Sequence, residues 1–371
     1  MDIIQRSACL LTGAEDIEPV YSFKKFPVYL GCVDPSTADA DLFTDMNWGC
    51  SKSSGSLQLM DLLDPDVMYK MHHNPGTIGK TWQHHHETFY EFIKKHGFKN
   101  VLEIGGASGS LVKHFIEDQE DFTWTIIEPS DQNNIDDARV KFLQGYFEDF
   151  KFEEQFNTVV HSHVFEHVYE PLKFLEKINS ILSHGDHHYI SLPNLKYWLE
   201  HGYTNALMFE HTFYVDDNIL EYLLNKSGFK IVDKTINPHS IFVYCVKSND
   251  IDMQEPNFKY VKELYLSYVD GLLTDVKQIK QSIGSDKFYL FGAHIFSQML
   301  INLGLPESQI TNVLDNDSKK HDLRLYGTNL IVKSPECLRG VENPVVVLRG
   351  GVYTDEIKKS IVDVNPNVVF Y

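Results

Sequence analysis

The sequence predicts an α/β fold in three parts: a small β-rich module, a doubly wound sheet, and a second, smaller α/β unit. Three observations predict it. Short apolar strands alternate with amphipathic helices between residues 97 and 247, a glycine-rich turn joins the first of these strands to a helix, and a polar stretch after residue 247 precedes a second alternating set. The expected boundaries are 1–70, 71–250 and 251–371, which suits a chain of 371 residues. The formal net charge is −19 and no segment is basic, which argues against duplex nucleic acid or an anionic membrane as partner. No apolar run approaches the ~18 residues of a membrane span. The N-terminus lacks a cleavage-site pattern, and the five cysteines (Cys9, Cys32, Cys50, Cys245, Cys337) are scattered and odd in number. A cytoplasmic protein, monomer or homodimer, is expected.

Residues 1–70 are turn-rich, with Pro19, Pro27, Pro35 and Pro65, and carry strand-like pieces at Val20–Phe23 and Val28–Leu30. Between Gly79 and Gly97, Trp82, Phe89, Phe92 and Ile93 recur at helical spacing, and Gly97 ends the run. Strands follow at Asn100–Ile104, Trp124–Ile127, Val140–Leu143, Thr158–His161 and Tyr189–Leu192. Helices are expected at Ser110–Ile116, Asp131–Ile135, Pro171–Leu182 and Asp216–Ser227, and Lys230–Asp233 with Ile241–Val246 closes the unit as β-structure. After the linker SNDIDMQEPN comes a long helical pattern, Val261–Ile283, then a strand at Phe288–Phe291, a helix near Ile295–Leu303, and strands at Thr311–Leu314, Val345–Leu348 and Val368–Phe370.

The most informative segment is Val101-Leu-Glu-Ile-Gly-Gly-Ala-Ser-Gly-Ser-Leu111. A buried strand runs into a turn of small residues that opens a helix, so backbone N–H groups can approach a ligand closely. A dinucleotide fingerprint needs glycines at offsets 0, 2 and 5. Counting from Gly105, this chain has Gly105, Ala107 and Ser110, so an NAD-linked oxidoreductase fails on spacing. Instead Glu103 stands two residues before Gly105, Gly106 follows it, and Gly109 stands four after it. The pattern resembles the E/D-x-G-x-G-x-G motif of class I S-adenosylmethionine (SAM) methyltransferases, with Ala107 replacing the middle glycine. That resemblance implies a Rossmann-like sheet and SAM as cofactor. Glu128 ends the next strand, where a carboxylate can accept ribose hydroxyls. Gly145-Tyr-Phe-Glu148 follows the third strand, which implies Phe147 at the adenine. Phe156-Asn-Thr-Val-Val-His-Ser-His-Val-Phe-Glu-His167 is similar to the fourth-strand motif of the same superfamily.

The flanks resemble one family within it. Cys9-Leu-Leu-Thr12 and Cys50-Ser-Lys-Ser53 look like a worn pair of C-x2-C motifs, and Tyr289-Leu-Phe-Gly-Ala293, Leu314-Asp-Asn-Asp-Ser-Lys319 and Val347–Ile357 look like the closing domain of the three-part sugar C-methyltransferases. The resemblance implies SAM-dependent methylation of a nucleotide-linked (keto-)deoxysugar at carbon, by way of an enediolate. O- or N-methylation of another sugar or small metabolite, and a non-catalytic SAM-fold binding protein, stand as the alternatives. In the family's pattern the Glu-His of Phe209-Glu210-His211-Thr-Phe-Tyr214 lies at the acceptor, His167 lies at the active site, and Tyr69 and His72 border the sugar. Removing a proton beside a ketone needs a base, which Glu210 or His211 can supply, and the oxyanion that forms needs donors.

Tetrahedral zinc sites use four thiolate or imidazole ligands. Each C-x2-C pair here has lost one sulfur, to Thr12 and Ser53, so no structural zinc is expected, and Cys32 is the only further thiol nearby in sequence. His161 and His163 are expected at the ligand edge of the fourth strand, bordering the methionine part of SAM, with no metal. His84, His85 and His86 point about 100° apart along a helix and read mainly as helix surface, one of them able to reach the cleft. Arg324, Arg339 and Arg349 of the C-terminal unit are candidates for a diphosphate, and Asp315 and Asp317 show no catalytic partner in the sequence.

Overall fold

The computed structural model describes residues 3–64, 79–131 and 134–371. Tyr69 and His72 lie outside the described residues. No helix among the described residues is long and apolar enough to cross a membrane.

The central unit begins with helix α1 (Lys80–His96), which turns His85, Phe89, Tyr90, Phe92 and Ile93 inward and stops where the Gly97 N–H donates to Ile93 O. Strand β1 (Asn100–Ile104) follows, then α2 (Ser110–Asp118), β2 (Thr123–Glu128), β3 (Val140–Gln144), β4 (Thr158–Ser162), α3 (Pro171–Ile181), β5 (His187–Pro193), α4 (Leu195–Glu200), α5 (Asp217–Lys226), β6 (Phe229–Ile236) and β7 (Ser240–Lys247). The sheet order is β6-β7-β5-β4-β1-β2-β3. All strands run parallel except β7, which is antiparallel to both β5 and β6. Its inner strands read as nearly continuous apolar runs because both faces are covered, so a polar residue inside them stands out. Glu103 on β1, His161 on β4 and His188 on β5 are among those in the centre.

Of the helix expected at Asp131–Ile135, residues 132 and 133 lie outside the described residues, and residues 134–137 are irregular. The Asp137 carboxylate accepts from the backbone N–H and the guanidinium of Arg139, a local bond that competes with helix. Ile135 lies against Gly109, where an added Cβ would come within 2.6 Å of it.

Helix α6 (Tyr260–Ile283) buries a stripe running from Val261 to Ile283. The second unit then continues through β8 (Phe288–Phe291), α7 (Ile295–Asn302), β9 (Ile310–Leu314), β10 (Val332–Lys333), β11 (Val345–Leu348), α8 (Thr354–Val364) and β12 (Val369–Phe370). Its sheet is wholly parallel in the order β10-β9-β8-β11-β12. The order reverses beside β8, and such switch points are where open α/β sheets hold ligands.

The first residues form an antiparallel sheet of Ile17–Pro27, Phe43–Ser51 and Leu57–Leu59. This sheet braces the segment that carries Glu210 and His211. The Leu59 N–H donates to Thr212 O and the Tyr214 N–H to Leu57 O, both at 2.9 Å. Arg6 donates to Thr212 O at 2.8 Å and to Tyr169 O, and Phe26 packs edge-on against Phe209. The module also holds the C-terminal unit: Cys32–Val33 pairs with Arg324–Leu325, and the buried Arg324 forms an ion pair with Asp41 at 2.6 Å.

Cys9 Sγ lies 3.3 and 3.2 Å from the hydroxyls of Ser54 and Ser56, while Cys50 donates to Gly55 O. Cys32 is directed elsewhere, toward Ala293 O, so it does not join the other two thiols.

Candidate active site

One cleft of about 510 Å³ gathers the C-terminal edge of the central sheet, the braced segment 205–211, and the loops at the switch point of the second sheet. From β1 come Glu103 and the turn Gly105–Ser108. Gly105, Ala107 and Gly109 all have positive φ (72°, 45° and 74°). At Gly105 a side chain would be strained by the positive φ and would force a shift, since a Cβ would sit 2.4 Å from Val164. Behind the turn, Glu128 accepts from the Ala107 and Ser130 N–H groups, both at 3.0 Å. The turn opens α2, whose first-turn N–H groups have no intrahelical acceptors and are suited to an anionic ligand group. Glu103 is 3% exposed. It accepts from Trp124 Nε1 at 2.7 Å, and burial lifts its carboxyl to about 7. This open, donor-rich turn, flanked by two acidic groups, fits the carboxylate, ammonium and ribose of SAM.

From β4 come Ser162 and His163. His163 has φ 53°, a strained value for a non-glycine residue and one that clusters at functional sites. Its Nε2 lies 2.9 Å from Ser240 Oγ. The same oxygen meets His239 Nδ1 at 2.7 Å and His85 Nδ1 at 3.1 Å. His85 Nε2 bonds Ser162 at 3.0 Å and His239 Nε2 reaches Tyr353 at 3.3 Å. Burial pushes all three imidazoles down, His239 to about 4, so the cluster is neutral. Trp82 stands edge-on to each of them. Two of the three consecutive histidines therefore face inward: His85 joins the cluster, His86 lines the cleft, and only His84 is surface. The reason is that α1 packs on the sheet, Phe89 and Phe92 against Phe242, while Trp82 and His86 border the cleft.

Glu166 and His167 follow on a single 3-10 turn, Phe165–His167, and meet Glu210 and His211 across the cleft. The rings of His167 and His211 are 5.1 Å apart. His211 Nδ1 is 2.7 Å from Ala206 O. A carbonyl only accepts, so Nδ1 carries the hydrogen and Nε2 presents a lone pair. Burial lowers His211 to about 4 and raises Glu166 to about 8. His211 is thus a weak base and, while neutral, has no second N–H to give an oxyanion. Glu210 is 4% exposed and borders the same space.

Several expected positions need correction. His161 is fully buried on the far face of the sheet, where it bonds His188 at 3.0 Å and packs on Phe174. Strand alternation turns it away from the ligand edge. Phe147 is core, packed on Phe152 and Phe174 beneath Lys177. The three arginines do not reach the cleft: Arg324 is taken by Asp41, Arg339 by Glu336 and Arg349 by Asp275. Both aspartates have partners. Asp315 accepts from the Ala293 N–H at 2.9 Å and pairs with Lys320 at 3.2 Å, and Asp317 accepts from the Lys319 N–H at 3.0 Å.

Sequence reasoning missed Glu166, the Ser240 hub and the C-terminal wall of the cleft, which includes Gly292, His294, Asp315–Asp317, Lys320 and Tyr353. A signal existed. Ala293 after β8 bonds Asp315 at the end of β9 just as Ala107 after β1 bonds Glu128 at the end of β2.

A seven-stranded sheet with one antiparallel strand second from its edge, a glycine turn after β1 and an acid closing β2 is the fold of the class I SAM-dependent methyltransferases. Residues 80–234 match the family described as a methyltransferase domain. The central unit is a methyltransferase domain with the class I SAM-dependent fold, a match that spans less than half of the chain; the chain is a methyltransferase and its cofactor is SAM. No curated protein matches the chain. Among solved structures, a SAM-dependent methyltransferase assignment from Listeria monocytogenes is similar at 16% identity, over 46% of this chain and 100% of that one, with TM-score 0.38. The 1,6-didemethyltoxoflavin-N1-methyltransferase of Burkholderia thailandensis is similar at 15% identity, over 46% and 80%, with TM-score 0.37. A SAM-dependent methyltransferase from Aquifex aeolicus is similar at 15% identity, over 43% and 89%, with TM-score 0.37. None of these likenesses bears on the substrate.

Proposed function

We propose that the chain methylates a nucleotide-linked (keto-)deoxysugar at the carbon beside its ketone, as a three-part enzyme divided at 1–70, 71–250 and 251–371. The observation that carries this reading is the second switch point. Two sheets, each with a small-residue turn bonded to an acid at the end of its next strand, face one cleft. One edge serves SAM. The other is suited to the nucleotide end of an acceptor, with the Gly292–Ala293 turn and Lys320, the only Lys or Arg among the described lining residues, near its phosphates.

SAM, when bound, supplies an electrophilic methyl group. The chain's own residues do the rest. Glu103 and the turn Gly105–Gly109 orient the cofactor. Glu210 takes the proton from the carbon beside the ketone, leaving an enediolate whose carbon faces the methyl, a base contribution typically worth ~10²–10⁴ in rate. The braced loop and the opposing wall hold that carbon in line, and positioning of this kind lowers barriers by about 7–11 kcal/mol. His167 shapes the sugar pocket, the role that the family resemblance also implies for Tyr69 and His72, which lie outside the described residues. One observation favours O-methylation as a second reading: the open Nε2 of His211 is suited to accept from an acceptor hydroxyl.

The test incubates the chain with labelled SAM and a panel of nucleotide sugars, with and without a 4-keto group. Transfer to the keto sugars is expected, and Glu210→Ala should lower it at least ~100-fold while S-adenosylhomocysteine binding persists. No transfer to any nucleotide sugar overturns the substrate class, and full turnover by Glu210→Ala overturns the base.

A further inference from the structure

We propose that Glu166, His167 and His211 form a divalent-cation site that holds the acceptor's oxygen in the cleft. One ligand atom from each lies within 4.8 Å of the others. Glu166 is 1% exposed, and its Oε2 has no hydrogen-bond partner among the described residues. Its Oε1 lies 3.6 Å from His163 Nδ1 and 3.7 Å from His167 Nε2, beyond hydrogen-bond reach of either imidazole. No Lys or Arg among the described residues pairs with it. A buried carboxylate in this position calls for a cation or a proton.

His211 is set up as a ligand. Its Nδ1–H is held by the Ala206 carbonyl at 2.7 Å, which fixes the tautomer and leaves Nε2 as a lone pair. Metal-binding histidines are oriented by this kind of outer contact. Two imidazoles and one carboxylate that converge within the cleft leave coordination positions for a ligand, and this donor set suits Mn²⁺, Fe²⁺, Co²⁺ or Zn²⁺ better than Mg²⁺ or Ca²⁺. The neighbouring trio His85, His163 and His239 differs in kind. Its nitrogens already converge on Ser240 Oγ at 2.7–3.1 Å, so it is a filled hydrogen-bond network.

The cation gives the cleft what its side chains lack there. Neutral His211 cannot donate to an oxygen that gains negative charge, whereas a divalent ion stabilises that charge directly. Glu210 remains the proton acceptor. The inference rests on reading the cleft as the methyl-acceptor pocket, but its test uses no substrate, so failure of the sugar assignment leaves the result standing.

The experiment titrates chelator-treated full-length chain with Co²⁺, read by visible absorption and calorimetry, with S-adenosylhomocysteine binding measured on the same samples. One Co²⁺ per chain is expected, with affinity falling roughly 100-fold or more in Glu166→Gln while S-adenosylhomocysteine still binds. Should Glu166→Gln fail to bind S-adenosylhomocysteine, His211→Gln is the deciding variant, with the same loss of Co²⁺ expected. Absence of stoichiometric Co²⁺ binding by the native chain overturns the proposal, because Glu166 is then satisfied by a proton alone. Equal Co²⁺ affinity in a folded variant, or binding abolished by Cys9→Ser, overturns it as well.

Discussion

Burial disfavours a charge on Glu103, and Glu103→Gln exposes the cost. The carboxyl is buried beneath the glycine turn with Trp124 Nε1 as its one side-chain donor. Burial first, and the nearby Glu128 charge second, raise it from 4.5 to about 7. A carboxyl with a raised folded pKa binds its proton more tightly in the native state. Its stabilising effect is therefore complete below pH 4.5 and is lost as pH rises through 7. At about 1.36 kcal/mol per pH unit the full loss is roughly 3 kcal/mol. The amide introduced by Glu103→Gln stays neutral throughout and keeps an oxygen for Trp124. The variant should match wild type near pH 5 and exceed it by up to about 3 kcal/mol at pH 8. Urea midpoints of both proteins at each pH, without ligand, measure this. Taking the difference at each pH removes the buried histidines, whose lowered pKa values act in the opposite direction and cost stability as pH falls. S-adenosylhomocysteine should close the gap at pH 8 by favouring ionised Glu103. A variant destabilised equally at both pH values would show that the Glu103 proton is not what links stability to pH.

Other substitutions test other joints of the structure. Gly105→Ala combines positive φ with a 2.4 Å approach to Val164, and should weaken S-adenosylhomocysteine binding at least ~10-fold by calorimetry, since strain of about 1–3 kcal/mol falls on the turn itself. Ser240→Ala leaves three buried imidazoles without their common partner and should cost about 1–3 kcal/mol in a urea melt. Arg6→Ala removes the donors to Thr212 O and Tyr169 O. Hydrogen exchange should then quicken across residues 210–214, with unchanged exchange at β1 as the control.

Much of the central unit was legible because its signals are local. Strands buried on both faces read as apolar runs, α1 shows its inner stripe, and the glycine turn announces itself by spacing. Errors arose where partners are distant or where one residue of register decides. His161 and His163 differ only in that β4 ends between them, so one faces core and the other the ligand edge. Arg324 looked like a free cation because its partner, Asp41, lies 283 residues away. The bracing of Thr212 by Arg6 and Leu59 is likewise long-range, and no period in the sequence encodes it. Glu166 sat inside a recognised motif, but that its buried Oε2 has no hydrogen-bond partner among the described residues is a fact of packing.

Carbon methylation is decided by SAM carrying a ¹³C-methyl group, with a 4-keto nucleotide sugar as acceptor and the product examined by NMR. An enediolate formed by Glu210 predicts a labelled methyl bonded to a ring carbon beside the ketone, with the adjacent C–H signal lost. A labelled methyl on oxygen or nitrogen, with every ring C–H retained, would contradict it.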